Sequence, residues 1–231
     1  MIKRVMDVFV SGGVLLVLAA PLAVVIVILK LTGEHKAFYF QDRIGLDGKI
    51  IKVTKFATML QNSPNLGTQD ITLRNDPRVL PVGKFLRKTK LNEVPQFWDV
   101  LVGKLSLVGW RPLMPQGFAD YSNEIQREIV EVKPGLTGLG SLFFRDEESI
   151  IAQAEIEGRD LRSCYRNDIM PYKGALELWY VDHHGLIVDI KILLATAIAV
   201  AFPRWIGFHS WFKGLPTPDS EIVRNQLGMS R

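Results

Sequence analysis

The chain has 231 residues, 48% of them hydrophobic and 23% charged, enough for one domain with a real core plus a membrane element. Its one cysteine, Cys164, excludes an internal disulfide framework and points to a reducing compartment. A formal net charge of +4 suits anionic lipid headgroups or anionic substrates, and with no nucleic-acid motif beside the basic residues, nucleic acid is not expected as a partner.

From Val8 to Leu29 no residue is charged, a run of 22. That length spans a hydrocarbon core as a helix. Pro21 falls inside the run, where it removes a backbone donor and kinks the helix. Lys3 and Arg4 precede the run, and Lys30 and Lys36 follow it. Positive charge favours the cytoplasmic side, so both ends are compatible with that side. A spanning anchor and a helix–break–helix that enters and leaves one leaflet both fit these facts. The run exceeds the usual apolar core of a signal peptide and is expected to persist in the mature protein.

The soluble part opens with two short strands, expected at 37–41 and 49–53, around the turn signal Gly45-Leu-Asp-Gly48. Residues 60–76 have the composition of a surface loop. The pattern then predicts a helix over 82–90 with its basic residues outward, and a second over 93–102. Pro95 is tolerable in that helix's first turn, and Asn92 is placed as its N-cap. Helix N-termini favour anions, so the cap also lies where a phosphate could be held.

An amphipathic helix follows over 123–132, then a glycine-rich loop over 133–140, a helix beginning near Arg145-Asp-Glu-Glu148, and helices over 172–181 and 185–200. Tryptophan, phenylalanine and basic residues intermix from Pro203 to Lys213, the composition of an interface-lying segment. The last residues, 216–231, are expected to be loose.

The stretch from Gly83 to Pro112 gathers Lys84, Arg87, Lys88 and Lys90, the acid Glu93, and Arg111 beside Pro112. Cations next to a carboxylate are what a site for a phosphate ester and a divalent metal needs.

The ordered motifs carry a resemblance. Lys3-Arg-Val-Met-Asp7, Pro21, Gln41-Asp-Arg-Ile-Gly45, Lys55-Phe-Ala-Thr-Met59 and Asp76-Pro-Arg78 come first. Gly83 to Lys88, Leu91 to Gln96, Gly103 to Pro112, Lys133 to Gly138 and Trp179-Tyr-Val-Asp182 follow. With these the chain resembles the bacterial sugar transferases, the monotopic polyprenyl-phosphate phosphoglycosyl transferases. The resemblance runs from Lys3 to about Val200 and implies an α+β, mainly helical fold. It has an N-terminal re-entrant membrane helix over 1–33, a small α/β catalytic body with a short β-hairpin and interfacial amphipathic helices over 34–203, and an interfacial or polar tail over 204–231.

The implied reaction moves a sugar 1-phosphate from a nucleoside-diphosphate sugar, expected to be a UDP-sugar, to polyprenyl phosphate. It would occur at the cytoplasmic face of the bacterial inner membrane, in contact with membrane lipid, as the first membrane step of surface glycan assembly. Mg²⁺ is the implied cofactor and Glu93 its ligand. Lys55, Arg87 and Arg111 are the implied phosphate partners, Asp182 stands at a position the family marks, and a homo-oligomer is left open. Pro21 marks the membrane break, although Ala20 replaces the serine that precedes the family's proline.

Three further positions depart from the family. Ala57 stands for an arginine, Trp110 for a proline, and Asn92 for the aspartate that is thought to attack the β-phosphate. A carboxamide is a very poor nucleophile at neutral pH. Glu93 could attack instead, with Asn92 and Glu93 then sharing the catalytic position. Asp146 or Glu147 could supply a carboxylate, or the acceptor phosphate could attack directly. The alternative is a catalytically impaired, membrane-associated relative that binds without turnover.

Overall fold

The computed structural model describes residues 1–63, 66, 76–202 and 207–229. Helix α1 (Ile2–Val17) and helix α2 (Ala19–Leu31) meet at Leu18 with a bend of 64°. Pro21 lies in the first turn of α2, where its missing N–H leaves the carbonyl of Val17 without the usual helical donor. Among the described residues no single helix is long and apolar enough to cross a membrane, but the bent pair passes that test together.

The start of α1 is bound to the body by the polar residues that precede the apolar run. Asp7 is buried and accepts from the Ser106 hydroxyl (2.9 Å) and the Leu107 N–H (2.9 Å). Arg4 caps two carbonyls of the fourth helix, those of Val100 and Leu101, at 2.6 Å each. Lys3 donates to buried Asp189 at 2.5 Å and to the Val108 carbonyl at 2.9 Å. A buried carboxylate is stable only with such partners, so this end of the helix is fixed in register against the body.

Strands β1 (Phe38–Ile44) and β2 (Ile50–Phe56) form the expected hairpin, antiparallel from Phe38↔Phe56 to Ile44↔Ile50. Both run three residues further than the turn signals suggested. The sharp reversal uses Asp47 at φ 57° and Gly48 at φ 72°. Helix α3 (Pro81–Lys88) lies against the end of β2 at Gly83, where an added Cβ would stand 2.1 Å from the Thr58 carbonyl oxygen.

Lys90, left-handed at φ 58°, turns the chain out of α3 into a single 3₁₀ turn, Leu91–Glu93. Helix α4 (Gln96–Leu101) begins only after it, with Pro95 as its N-cap residue. The expected helix over 93–102 is therefore shorter. Asn92 makes no cap hydrogen bond; it is buried inside the 3₁₀ turn with Oδ1 unpartnered among the described residues. The fixed φ of Pro95 starts the helix there, and the left-handed exit at Lys90 sets Asn92 one turn too early to cap it.

The glycine-rich loop over 133–140 holds a strand that its composition concealed. Strand β3 (Ser106–Val108) pairs in parallel with β4 (Gly135–Thr137), Ser106↔Gly135 and Val108↔Thr137. Short helices α5 (Pro115–Phe118) and α6 (Asn123–Ile129, capped by Ser122) connect them, and α7 (Leu139–Phe143), α8 (Glu147–Ile156) and α9 (Leu161–Cys164) follow β4. After a π-helical turn (Tyr165–Ile169), α10 (Met170–His183) and α11 (Leu186–Ala201) cover the β3–β4 pair.

Together these elements make a mainly helical molecule with a small two-sheet body. Its core is built on Leu105, Leu107, Trp110, Leu139, Leu176, Tyr180 and Ile192, each under 2% exposed. A side chain of this kind contributes roughly 1.5–3 kcal/mol when fully buried. The C-terminal residues are not loose. Phe208 and Phe212 are buried in the same core, and helix α12 (Glu221–Gln226) buries Val223 with Leu227 just beyond it. Their apolar residues sit at helical spacing inside a polar composition, which hid the packing face. Residues 203–206 of the expected interface-lying segment lie outside the described residues.

Candidate active site

Residues from the hairpin, the 3₁₀ turn, the segment after β3, α8, the π-helical turn and α10 converge on one open cleft of about 1190 Å³. In the hairpin register Tyr39 opposes Lys55, so Tyr39, Gln41, Arg43 and Lys55 share one face, and all four line the cleft. Behind β2, Asp99 of α4 accepts from the Thr54 N–H (2.7 Å) and hydroxyl (3.1 Å), which locks the strand and sets the direction of its neighbour Lys55.

Glu93 is the meeting point. Its Oε1 accepts from Arg111 Nη2 at 2.7 Å and lies 3.6 Å from Lys55 Nζ. Burial alone would push the Glu93 carboxyl up, but Arg111 and Lys55 hold it well below the usual carboxylate range. Burial pushes the Lys55 ammonium down to about 7, with Arg43 adding repulsion that Glu93 only partly offsets. Burial and Arg111 lower Arg43 to about 10. Arg111 and Lys55 thus contact a single carboxylate, and Arg43, which donates to the Gln41 side chain (2.6 Å) and the Pro112 carbonyl (3.0 Å), adds to a surplus of positive charge that an anion such as a pyrophosphate would satisfy.

Arg87 of α3 also lines the cleft, its guanidinium 3.7 Å from the Met59 sulfur. Asn92 lines it beside Glu93. Of the other described acids along the wall, Asp76 is bound by Arg78 at 2.5 Å and Glu34 accepts from the Gln61 N–H at 2.5 Å. Glu147 is paired with Lys173 at 2.5 Å, and Asp146 is exposed beside it.

Of the residues singled out from sequence, the structure brings Lys55, Arg87, Asn92, Glu93 and Arg111 together. It does not bring Asp182, which is exposed near the end of α10 and does not line the cleft. Pro21 is exposed in α2, away from this cleft. Trp110 is a core residue, its indole N–H donating to the Val132 carbonyl at 2.7 Å, while Ala57 lines the cleft.

Sequence reasoning missed Arg43, Lys173 and Glu177 as parts of the site. The alternation of a strand was the signal for Arg43, since it follows Tyr39 and Gln41 on the Lys55 face. Lys173 and Glu177 are one helical turn apart and point inward in a mainly apolar helix, a pattern that a search for basic clusters passes over.

Glu93 can hold a divalent cation. Both of its cation contacts fall on Oε1, and magnesium sites commonly combine one carboxylate with substrate phosphate oxygens. Among the described residues no cluster of three or more metal-type side chains exists, so such an ion would depend on the substrate for most of its ligands.

A broken apolar helix is anchored on a small two-sheet body, with a cation-walled cleft around Glu93. The chain belongs to the bacterial sugar transferase family, whose model matches residues 1–203. It is 40% identical over 197 residues to the UDP-glucose:undecaprenyl-phosphate glucose-1-phosphate transferase of Klebsiella pneumoniae, covering 84% of this chain and 39% of that protein. It is 31% identical over 213 residues to the undecaprenyl-phosphate galactose phosphotransferase of Salmonella typhimurium, covering 86% and 40%. The uncharacterized sugar transferase EpsL of Bacillus subtilis is 32% identical over 195 residues, covering 84% of this chain and 85% of that one. The chain therefore spans about two fifths of the first two relatives and most of the third.

Proposed function

We propose that this protein transfers a sugar 1-phosphate from a UDP-sugar to undecaprenyl phosphate, releasing UMP, as the first membrane step of surface glycan assembly. The observation that carries the reading is the meeting of Arg111 and Lys55 on Glu93, with Arg43 on the same cleft wall, in a chain that the family model matches over residues 1–203. The names of the Klebsiella and Salmonella relatives supply the undecaprenyl phosphate, and the Klebsiella name the UDP-sugar. No comparison favours the catalytically impaired alternative, since the relatives bear the names of transferases.

In this reading Arg111, Lys55 and Arg43 bind the pyrophosphate oxygens of the donor, with Arg87 at the same wall. An incoming anion restores the charge that burial takes from Lys55, because an opposite charge favours the ammonium form. Glu93 would hold Mg²⁺, and the ion would supply neutralisation of the phosphate charge. Asn92 offers a carboxamide where a nucleophilic carboxylate would be needed, and Glu93 is already engaged by Arg111 and Lys55.

Transfer is then direct. An oxygen of the undecaprenyl phosphate attacks the β-phosphorus, the bond from that phosphorus to the bridging oxygen breaks, and UMP departs with that oxygen. Asn92 donates from its amide to a phosphate oxygen and forms no covalent bond.

The bent α1–α2 pair is the re-entrant membrane element over 1–33, broken at Leu18 with Pro21 in the turn that follows, and with both ends on the cytoplasmic face of the inner membrane. Its support is the 64° bend together with exposed Phe9, Leu16, Val17 and Val24. Residues 34–203 form the catalytic domain.

The test supplies the protein in vesicles with UDP-glucose or UDP-galactose, undecaprenyl phosphate and Mg²⁺. UMP and a sugar-bearing lipid diphosphate are expected together, and EDTA abolishes both. Binding of UDP without either product would reject the reading.

A further inference from the structure

We propose that Glu177 is the positioning residue of this cleft: its buried carboxylate holds the Arg111 main chain and abuts helix α7 at Gly140. The β3–β4 ladder ends just before it, with the Gly109 N–H on the Thr137 carbonyl and the Gly135 N–H on the Trp110 carbonyl, each at 2.9 Å. The next amide along, that of Arg111, has passed the last strand partner. A buried N–H needs an acceptor, and Glu177 Oε1 supplies it at 3.2 Å.

Glu177 itself is 1% exposed, and its Oε2 has no hydrogen-bond partner among the described residues. The fit against the start of α7 is close. A Cβ added at Gly140 would stand 2.4 Å from Glu177 Oε1, and one at Gly138 would stand 3.7 Å from Oε2. Lys173, one turn earlier on α10, is engaged by Glu147 at 2.5 Å. Burial pushes the Glu177 carboxyl up to about 7, only partly offset by the N–H groups of Arg111 and Gly140 and the charge of Lys173. A carboxylate held at that cost to its charged form is explained by what it fixes: the strand end from which Arg111 reaches Glu93 at 2.7 Å.

The link to binding rests on the donor reading above, so the experiment has two arms on the full chain in lipid nanodiscs. In the first, the affinity for UDP with Mg²⁺ is measured for the unaltered protein, Glu177→Ala, Arg111→Ala and the double variant. Glu177→Ala is expected to weaken UDP roughly tenfold when Arg111 is present and by less than about twofold when it is alanine. Glu177→Gln, which keeps an acceptor oxygen, stays within about threefold of the unaltered chain. Equal losses with and without Arg111 overturn the proposal.

The second arm needs no ligand. Hydrogen exchange over peptides spanning 106–114 and 135–141 is expected to quicken in Glu177→Ala while the β1–β2 hairpin is unchanged. Unchanged exchange at Arg111, or a loss spread over the hairpin, overturns the proposal. Should Glu177→Ala not fold, Glu177→Asp keeps the charge but shortens the reach by one methylene, and the same local quickening is expected. A chain that binds no UDP at all would reject the donor reading and leave the exchange result to decide the positioning role.

Discussion

Eighteen residues apart in sequence, Arg111 and Glu93 meet at 2.7 Å, one from the segment just past β3 and the other from a 3₁₀ turn. The contact joins the β3–β4 pair to the hairpin side of the cleft, because Lys55 approaches the same Glu93 oxygen at 3.6 Å. An acid held by two cations stays ionised, and the cations stay turned toward the place where phosphate would bind.

Arg111→Ala removes the stronger of those contacts and a donor aimed into the cleft. Losing one preorganised donor of this kind costs about 10²–10³ in rate. UMP release by Arg111→Ala is expected to fall by that order, while Arg111→Lys recovers only part because an ammonium lacks the planar two-pronged geometry. Rates within about twofold of the unaltered chain would show that the guanidinium does not face the donor.

The state of Glu177 gives a pH dependence with a definite sign. Its carboxyl is raised from 4.5 to about 7, so the folded chain binds a proton that the unfolded chain releases between those values. The resulting stability is fully present below 4.5 and is lost as pH rises through 7, a change of about 3 kcal/mol at most. Lys173, Arg111, Tyr121 and Tyr180 are the titratable groups coupled to it. Glu177→Gln, neutral throughout, is expected to gain on the unaltered chain across that window in denaturant unfolding. A stability difference that does not vary with pH would contradict the assignment.

Gly83→Ala is expected to destabilise the fold by about 1–3 kcal/mol or more, since its Cβ meets backbone and not a movable side chain. The Thr58 carbonyl lies 2.1 Å from where that atom would be, and the Leu80 N–H already uses that carbonyl at 3.0 Å. A fall in the midpoint of unfolding measures it. An unchanged midpoint would mean that α3 does not press on the Thr58 backbone there.

For the bent helix pair, the expected outcome concerns topology. Cysteines introduced singly at Ile2 and at Glu34 should both react with an impermeant thiol reagent from the cytoplasmic side only. Pro21→Leu restores the backbone donor and is expected to straighten the pair, moving one end to the other side. Labelling of the two ends from opposite faces in the unaltered protein would show a spanning helix instead.

The local signals in the sequence were enough for the hairpin, the long helices and the charge cluster around Glu93. Turn residues at 45–48 and the alternation beside them marked β1 and β2, and motif order made Lys55, Arg87, Glu93 and Arg111 one site. What stayed hidden is non-local. Strand β4 lies in Gly135–Thr137, where glycine permits close pairing with β3 but suppresses any strand propensity. Glu177 looks like one more polar residue of α10 until the fold brings Arg111 and Gly140 against it. Asp182, five residues further along the same helix and so on another face, is exposed instead. In the C-terminal tail Val223 and Leu227 are too few to produce a clear pattern, yet both are buried.

The central claim, direct transfer past Asn92, is tested by rapid-quench measurement of UMP with the UDP-sugar that the protein turns over. The unaltered chain is predicted to release UMP only when undecaprenyl phosphate is present. Asn92→Asp should restore a carboxylate and give a burst of about one UMP per protein molecule without acceptor, with a trapped phosphosugar adduct. An acceptor-independent burst from the unaltered chain would contradict the account, because it would require a carboxylate nucleophile that Asn92 does not provide.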